Sequence, residues 1–342
     1  MKAIAYQQSN PISHPEALQD ITLPEPVASG RDLLVEVRAI SVNPVDTKIR
    51  NGVAPAAGDW KVLGWDGAGV VRAVGAEVTG FKAGDRVWYA GSISRSGSNA
   101  ELQLVDERIV SKMPSSLSFS QAAALPLTGI TAWEMLFDRL GIAQNPTPNE
   151  ATLLIIGAAG GVGSIMVQLA RQLTGVTVIG TASRPQTQAW VRELGAHHVI
   201  DHSKPLSQEL KRIGIPQVDY IVSLTGTDQH LLEIAESIAP QGKFGLIDDP
   251  VALNANVFKR KSVSLHWELM FTRSLFGTAD MAEQGHLLSR LAELVDAGRI
   301  RTTVGEHFGV INAANLMRAH ALLESGQVRG KIVLEGFEQS QP

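Results

Sequence analysis

Hydrophobic positions change their period along the chain. In the first third they come in short runs. "LLVEVRAISV" (Leu33–Val42) alternates in its middle, and "GVVRAVG", "DRVWYA" and "AELQLV" follow, each bounded by Gly, Asp, Ser or Asn. Short strands at such spacing predict an irregular antiparallel barrel or sandwich. "SGSNAE" (Ser96–Glu101) is a loop by composition. The character changes at "SFSQAAALPLTGITAWEMLFDRL": Ser118 or Ser120 caps a helix that starts at the alanine run, Pro126 interrupts it, and helix resumes near Thr131.

After the polar connection "GIAQNPTPNEA", strands and helices alternate. The strands "TLLIIG", "VTVIGT", "HHVID", "VDYIVSL", "GKFGLID" and "SVSLHW" are short and apolar, and helical patterns such as "VGSIMVQLARQL" and "PQTQAWVRELG" separate them. Buried strands alternating with helices predict a parallel sheet covered on both faces, an α/β arrangement. Two further helices, "MAEQGHLLSRLAELVDAG" and "NAANLMRAHALLESG", precede a last strand, "GKIVLEG".

Composition narrows the function. The 342 residues suggest about two domains. Thirty basic and 34 acidic residues give a net charge of −4, and no block of like charge stands out, which argues against nucleic acid or an anionic membrane as partner. There is no cysteine, so disulfides, cysteine-ligated zinc, iron–sulfur clusters and a thiol nucleophile are excluded. The opening "MKAIAYQQSNPISHP" lacks the apolar run of a signal peptide, and no segment approaches the ~20 apolar residues that span a bilayer. A cytoplasmic enzyme is the expectation.

"TLLIIGAAGGVGSIMVQLAR" has the strand, glycine turn and helix order of a dinucleotide-binding fingerprint. Ala158 stands where the first glycine of that pattern would be. Gly160 permits close backbone approach, and Gly163 permits close packing of helix on strand. The N–H groups of the helix start, at Gly161 and Val162, suit a pyrophosphate. After the second strand, "VIGTASRPQ" offers no acidic residue for a ribose hydroxyl; Ser183 and Arg184 stand there, Arg184 21 positions after Gly163. A hydroxyl and a cation suit a 2′-phosphate, so NADPH is the expected cofactor. The bland alternative is a solvated turn residue before Pro185.

"GAGVVRAVGAEVTGFKAGDRVW" (Gly67–Trp88), "AISVNPVDTKIRNG" (Ala39–Gly52), "AAALPLTGITAWEML" (Ala122–Leu136), "AAGGVG" and "GQVRGKIVL" come in an order that resembles the medium-chain dehydrogenase/reductase superfamily. The likeness is to its zinc-free, quinone-oxidoreductase-like branch. It implies a GroES-like catalytic domain over residues 1–122 and 275–342 and a Rossmann domain over 123–274, with the active site in the cleft. It also implies a homodimer, formed through the edge at "SVSLHWELMF". It places Asn43 and Thr131 by the nicotinamide ribose and amide. His202 reaches the cofactor phosphates, and Lys331 approaches the cofactor from the returning strand.

The stretch "VLGWDGAGVV" (Val62–Val71) bears on the metal. Zinc enzymes of the superfamily read Gly-His-Glu at this turn, where this chain reads Gly64-Trp65-Asp66. Asn43 stands at the position of a zinc-binding cysteine, and the structural-zinc lobe is absent. Catalytic zinc needs about three protein ligands. Trp65 is therefore either a wall of the substrate cleft or a core plug. Hydride delivery to a quinone or an α,β-unsaturated carbonyl remains feasible without a Lewis acid. Lys48 either donates to the developing oxyanion or is a solvated or salt-bridged lysine, and Asp46 holds its turn. A zinc alcohol dehydrogenase and a non-catalytic NADPH-binding protein are the competing classes.

Overall fold

The structure, a computed structural model, describes residues 1–337. Two compact units divide the chain: Met1–Ile130 with the segment from Phe271 onward, and Thr131–Met270. Both junctions differ by a few residues from the sequence boundaries. Leu127 explains the first: its main-chain N–H donates to Asp66 Oδ1 at 2.8 Å, which ties the start of the helix Pro126–Trp133 to the first unit.

The first unit holds β1 (Lys2–Tyr6), β2 (Gln19–Thr22), β3 (Asp32–Val42), β4 (Lys61–Val62), β5 (Asp66–Val74), β6 (Arg86–Tyr89), β7 (Leu102–Asp106) and β8 (Val110–Lys112). A small sheet has the order β2-β1-β4. The larger one is mostly antiparallel and gathers its strands from both ends of the chain. Its order is β15-β16-β3-β5-β6-β8, where β15 is Val304–His307 and β16 is Lys331–Glu335, and β7 pairs β3 off that path. The alternation read in Leu33–Val42 is real: Leu33, Val35 and Val37 are buried, and Leu33 and Val35 pack with Val71, Val87, Val105 and Met281.

The second unit holds β9 (Thr152–Ile156), β10 (Thr177–Thr181), β11 (His198–Ile200), β12 (Val218–Ser223), β13 (Ile238–Leu246) and β14 (Ser264–Trp267) in one parallel sheet of order β11-β10-β9-β12-β13-β14. The chain runs outward from β9 to β11, then returns to β12 on the other side of β9. That reversal makes a switch point between β9 and β12, where open α/β sheets bind ligands at the carboxyl ends of their strands. Leu154, Ile179, Ile221 and Phe244 carry its core. The α/β class, with a GroES-like sheet unit and a Rossmann sheet unit, is the one the sequence predicts.

Pro126 corrects the sequence reading. Ser118 does cap the short helix Phe119–Ala123, accepting from Gln121 N–H, but the next helix begins at Pro126 itself. A proline at the first helical position gives up only an N–H that has no helical partner anyway. The helix then passes directly into a π-helical segment, Glu134–Arg139. Among the described residues, no helix is long and apolar enough to cross a membrane.

Candidate active site

Two constellations emerge, one in each unit. In the first, Asn43 follows β3 and caps the helix Pro44–Gly52. Asp46, in the first turn of that helix, accepts from Asn43 N–H at 2.7 Å and from Gly64 N–H at 2.9 Å. It thereby ties the helix start to the glycine turn before β5. Gly64 itself has φ +92, and a Cβ there would collide with Asn99 and Ser98. Only glycine fits that position.

Asp66 and Lys331 complete the network. Asn43 Nδ2 donates to Asp66 Oδ2 at 2.8 Å. The Lys331 ammonium donates to Val42 O at 2.8 Å, to Asp66 Oδ2 at 3.1 Å and to Asn43 Oδ1. Lys331 is 3% exposed, and Asn43, Asp46 and Asp66 are buried with it. The Lys331 ammonium is thereby held among Asn43, Asp66 and the Val42 carbonyl. Burial pushes the Asp46 carboxyl up to about 7, against the pull of the Asn43 N–H and the Lys331 charge. Burial likewise lowers Lys331, and Asp66 opposes that.

Trp65 is a core plug. It is 1% exposed, its indole N–H donates to Ser92 O at 3.1 Å, and its ring meets Phe271 edge-on at 5.8 Å. The residues at this place do not make a zinc site. An indole has no lone pair for a metal, and a bound ammonium lies between the Asn43 and Asp66 oxygens. Among the described residues, no group of three or more His, Cys, Asp and Glu could hold a metal ion. Lys48 lies exposed on the helix Pro44–Gly52.

In the second unit the turn after β9 has the form a dinucleotide needs. Gly160 caps the 13-residue helix Gly161–Leu173, and Gly161 and Val162 form its first turn. A Cβ on Gly163 would overlap Gly157 O and Ala158 Cα, so the helix start lies directly on the turn. Ala158 is tolerated in place of glycine because it faces Gly180 of β10, whose own Cβ would crowd it. Ser183 and Arg184 follow β10, and His202 follows β11, all at the carboxyl edge of the sheet. The Arg184 charge bears on His202. Thr131 is buried at the start of this unit. His230, in the first turns of the helix Thr227–Ser237 after β12, comes to the same edge. No spacing in the sequence signals it; strand order does.

Comparison with known proteins defines the class. Residues 29–115 match the alcohol dehydrogenase GroES-like domain family, and residues 194–334 match the zinc-binding dehydrogenase family. The chain belongs to the medium-chain dehydrogenase/reductase superfamily, in its quinone-oxidoreductase-like branch, and is an oxidoreductase of that class. It is 41% identical to the zinc-type alcohol dehydrogenase-like protein SAS2087 of Staphylococcus aureus (strain MSSA476), over 98% of this chain and 99% of that one. A crystal structure from Rhizobium etli CFN 42, provisionally described as a zinc-dependent alcohol dehydrogenase, is 58% identical with TM-score 0.96 over 99% of each chain. The Escherichia coli quinone oxidoreductase complexed with NADPH is 27% identical with TM-score 0.82, over 98% of this chain and 100% of that one.

Proposed function

We propose that this protein is a zinc-independent, NADPH-dependent oxidoreductase that passes hydride to a quinone or an α,β-unsaturated carbonyl. The Lys331 ammonium, seated between Asn43 and Asp66, carries the reading. It supplies a fixed positive charge where metal chemistry would require a set of N, O or S donors. The NADPH preference rests on Arg184 and Ser183 after β10, with no carboxylate there. The E. coli quinone oxidoreductase, solved with NADPH, supports both parts of the reading.

The glycine turn fits a dinucleotide, as Gly163 requires. Gly160, Gly161 and Val162 would hold the pyrophosphate, Ser183, Arg184 and His202 the adenosine end, and Thr131 the nicotinamide amide. When bound, NADPH supplies the hydride. Asn43 is held in one orientation by Lys331 and Asp66 and is assigned to positioning the reactants; Lys48 is the candidate donor toward the acceptor oxygen. The decisive assay follows NADPH oxidation against quinones, enones and aldehydes, before and after exhaustive chelation. Quinone or enone turnover that survives chelation is expected. Activity confined to simple alcohols and aldehydes and lost with bound zinc sinks the proposal and favours the zinc alcohol dehydrogenase reading.

The same reading includes a homodimer. β14 is the edge strand of the parallel sheet, and its Trp267 and the nearby Leu269 are 51% and 52% exposed. An apolar, unpaired edge is an aggregation hazard that pairing with a second copy removes. Sedimentation at micromolar concentration should give twice the chain mass, and Trp267→Lys should shift it toward monomer. A wild-type monomer rejects the dimer.

A further inference from the structure

His202 and His230 belong to opposite sides of the switch point. His202 follows β11, and His230 lies in the helix after β12. Those strands are three places apart in the sheet, about 14 Å at ordinary strand spacing. Yet the two rings meet at 6.3 Å, nearly perpendicular at 82°. The helix Leu206–Arg212, which leaves this loop, starts against the helix Thr227–Ser237, where Ser207 N–H donates to Glu233 at 2.9 Å, and this packing brings the two histidines together. His202 Nδ1 is buried and has no hydrogen-bond partner. His230 packs on the turn at Gly226, where an added Cβ would touch its ring at 3.6 Å.

We propose that His202 and His230 form, with Arg184, the seat of the adenosine 2′-phosphate, and that the histidine pair takes up a proton as this phosphate binds. The inference rests on the NADPH reading above and adds His230 and the proton to it. Two half-buried imidazoles beside a guanidinium stay neutral until an anion arrives. The phosphate compensates the charge, and a protonated imidazole donates from both nitrogens.

The charged surroundings agree. Burial lowers His202, Arg184 lowers it further, and Asp201 alone opposes them. Burial lowers His230, as does His202, against Glu233. Ser203 donates to the Asp201 carboxylate from its hydroxyl and its main-chain N–H, and with the Lys204 charge this holds that carboxylate low. With both histidines below their ordinary value in the free chain, binding a dianion raises them. Affinity for NADPH then falls as pH rises, by at most about tenfold per unit for one proton. The phosphate's own ionisation near pH 6 acts the other way, so the effect is read above about pH 6.5.

The test is calorimetry of NADPH, NADH, 2′,5′-ADP and 5′-AMP binding at pH 7.5, in two buffers of different ionisation enthalpy. Proton uptake approaching one per site is expected for NADPH and 2′,5′-ADP only, and His230→Gln should abolish it. The NADPH Kd should rise severalfold from pH 6.5 to 8 while the NADH Kd stays flat. No uptake, equal uptake with NADH, or unchanged uptake in His230→Gln overturns the inference. Should that variant fold poorly, the histidine Cε1–H resonances of the unaltered protein are titrated with and without 2′,5′-ADP. Two titrations moved upward by the ligand support the pair, and unmoved titrations refute it. Arg184→Ala separates the two levels. If it weakens NADPH and NADH equally, the cofactor reading itself fails. If it weakens only NADPH and no proton is taken up, the histidine pair alone fails.

Discussion

Replacing Lys331 by Met should cost the protein about 3–5 kcal/mol, the range for removing one partner of a buried ion pair. The ammonium is 3% exposed and meets the Asp66 carboxylate, the Asn43 amide and the Val42 carbonyl. Methionine matches the length of the stem and packs acceptably, so the loss comes from orphaned acceptors and not from a void. Urea unfolding of the first unit should show it as a lowered midpoint at unchanged slope. Adding Asp66→Asn to Lys331→Met should recover part of the loss, because it removes the unpaired charge. A loss below about 1 kcal/mol would mean that the network is hydrated and the ammonium replaceable.

The second large effect is acid sensitivity from His320. This side chain is fully buried in the helix Ala313–Glu324, and neither ring nitrogen has a protein hydrogen-bond partner. Burial, together with the Arg50 charge, pushes it down to about 3. Unfolded, it returns to about 6.5. The folded value lies below the unfolded one, so the unfolded chain binds the extra proton. Stability is therefore intact above about pH 6.5 and falls as pH drops toward 3, by roughly 4–5 kcal/mol at full extent. His320→Leu should flatten the dependence of the urea midpoint on pH between 6.5 and 4. An unchanged slope would assign the acid sensitivity to other groups.

Much of the architecture was legible because burial imposes a pattern. β9 (TLLII) and β10 (TVIGT) are apolar apart from their threonines, as strands covered on both faces must be. The β2-β1-β4 sheet was not. "KAIAY" is five residues with no polar–apolar alternation, and β4 is only two residues long, too short for any period to register. From sequence Pro126 looks like a break, because proline is destructive inside a helix. At its first position proline is harmless, and only the register decides which applies.

The candidate site divides in the same way. The glycine turn was readable because its parts are contiguous. The inward role of Lys331 was not, since it meets Asp66 across 265 residues of chain. Trp65 could be narrowed to two places, and burial chose between them. His230 lies in an ordinary amphipathic helix and gains its place only from the strand order.

The large sheet also has a timetable. β16 pairs with β3, and Lys331 donates to the Val42 carbonyl 289 residues earlier in the chain. At a ribosome's pace that separation is roughly 15–60 seconds. During that interval the contiguous stretch Thr131–Met270 is synthesised whole and has every strand of its own sheet. The unit that precedes it has to wait. β3 leaves the ribosome with the edge meant for β16 open, and Asp46 and Asp66 have no ammonium between them. The half with the parallel sheet is thus synthesised before the half that began first, and the last of the described strands is the one that closes the network around Asn43.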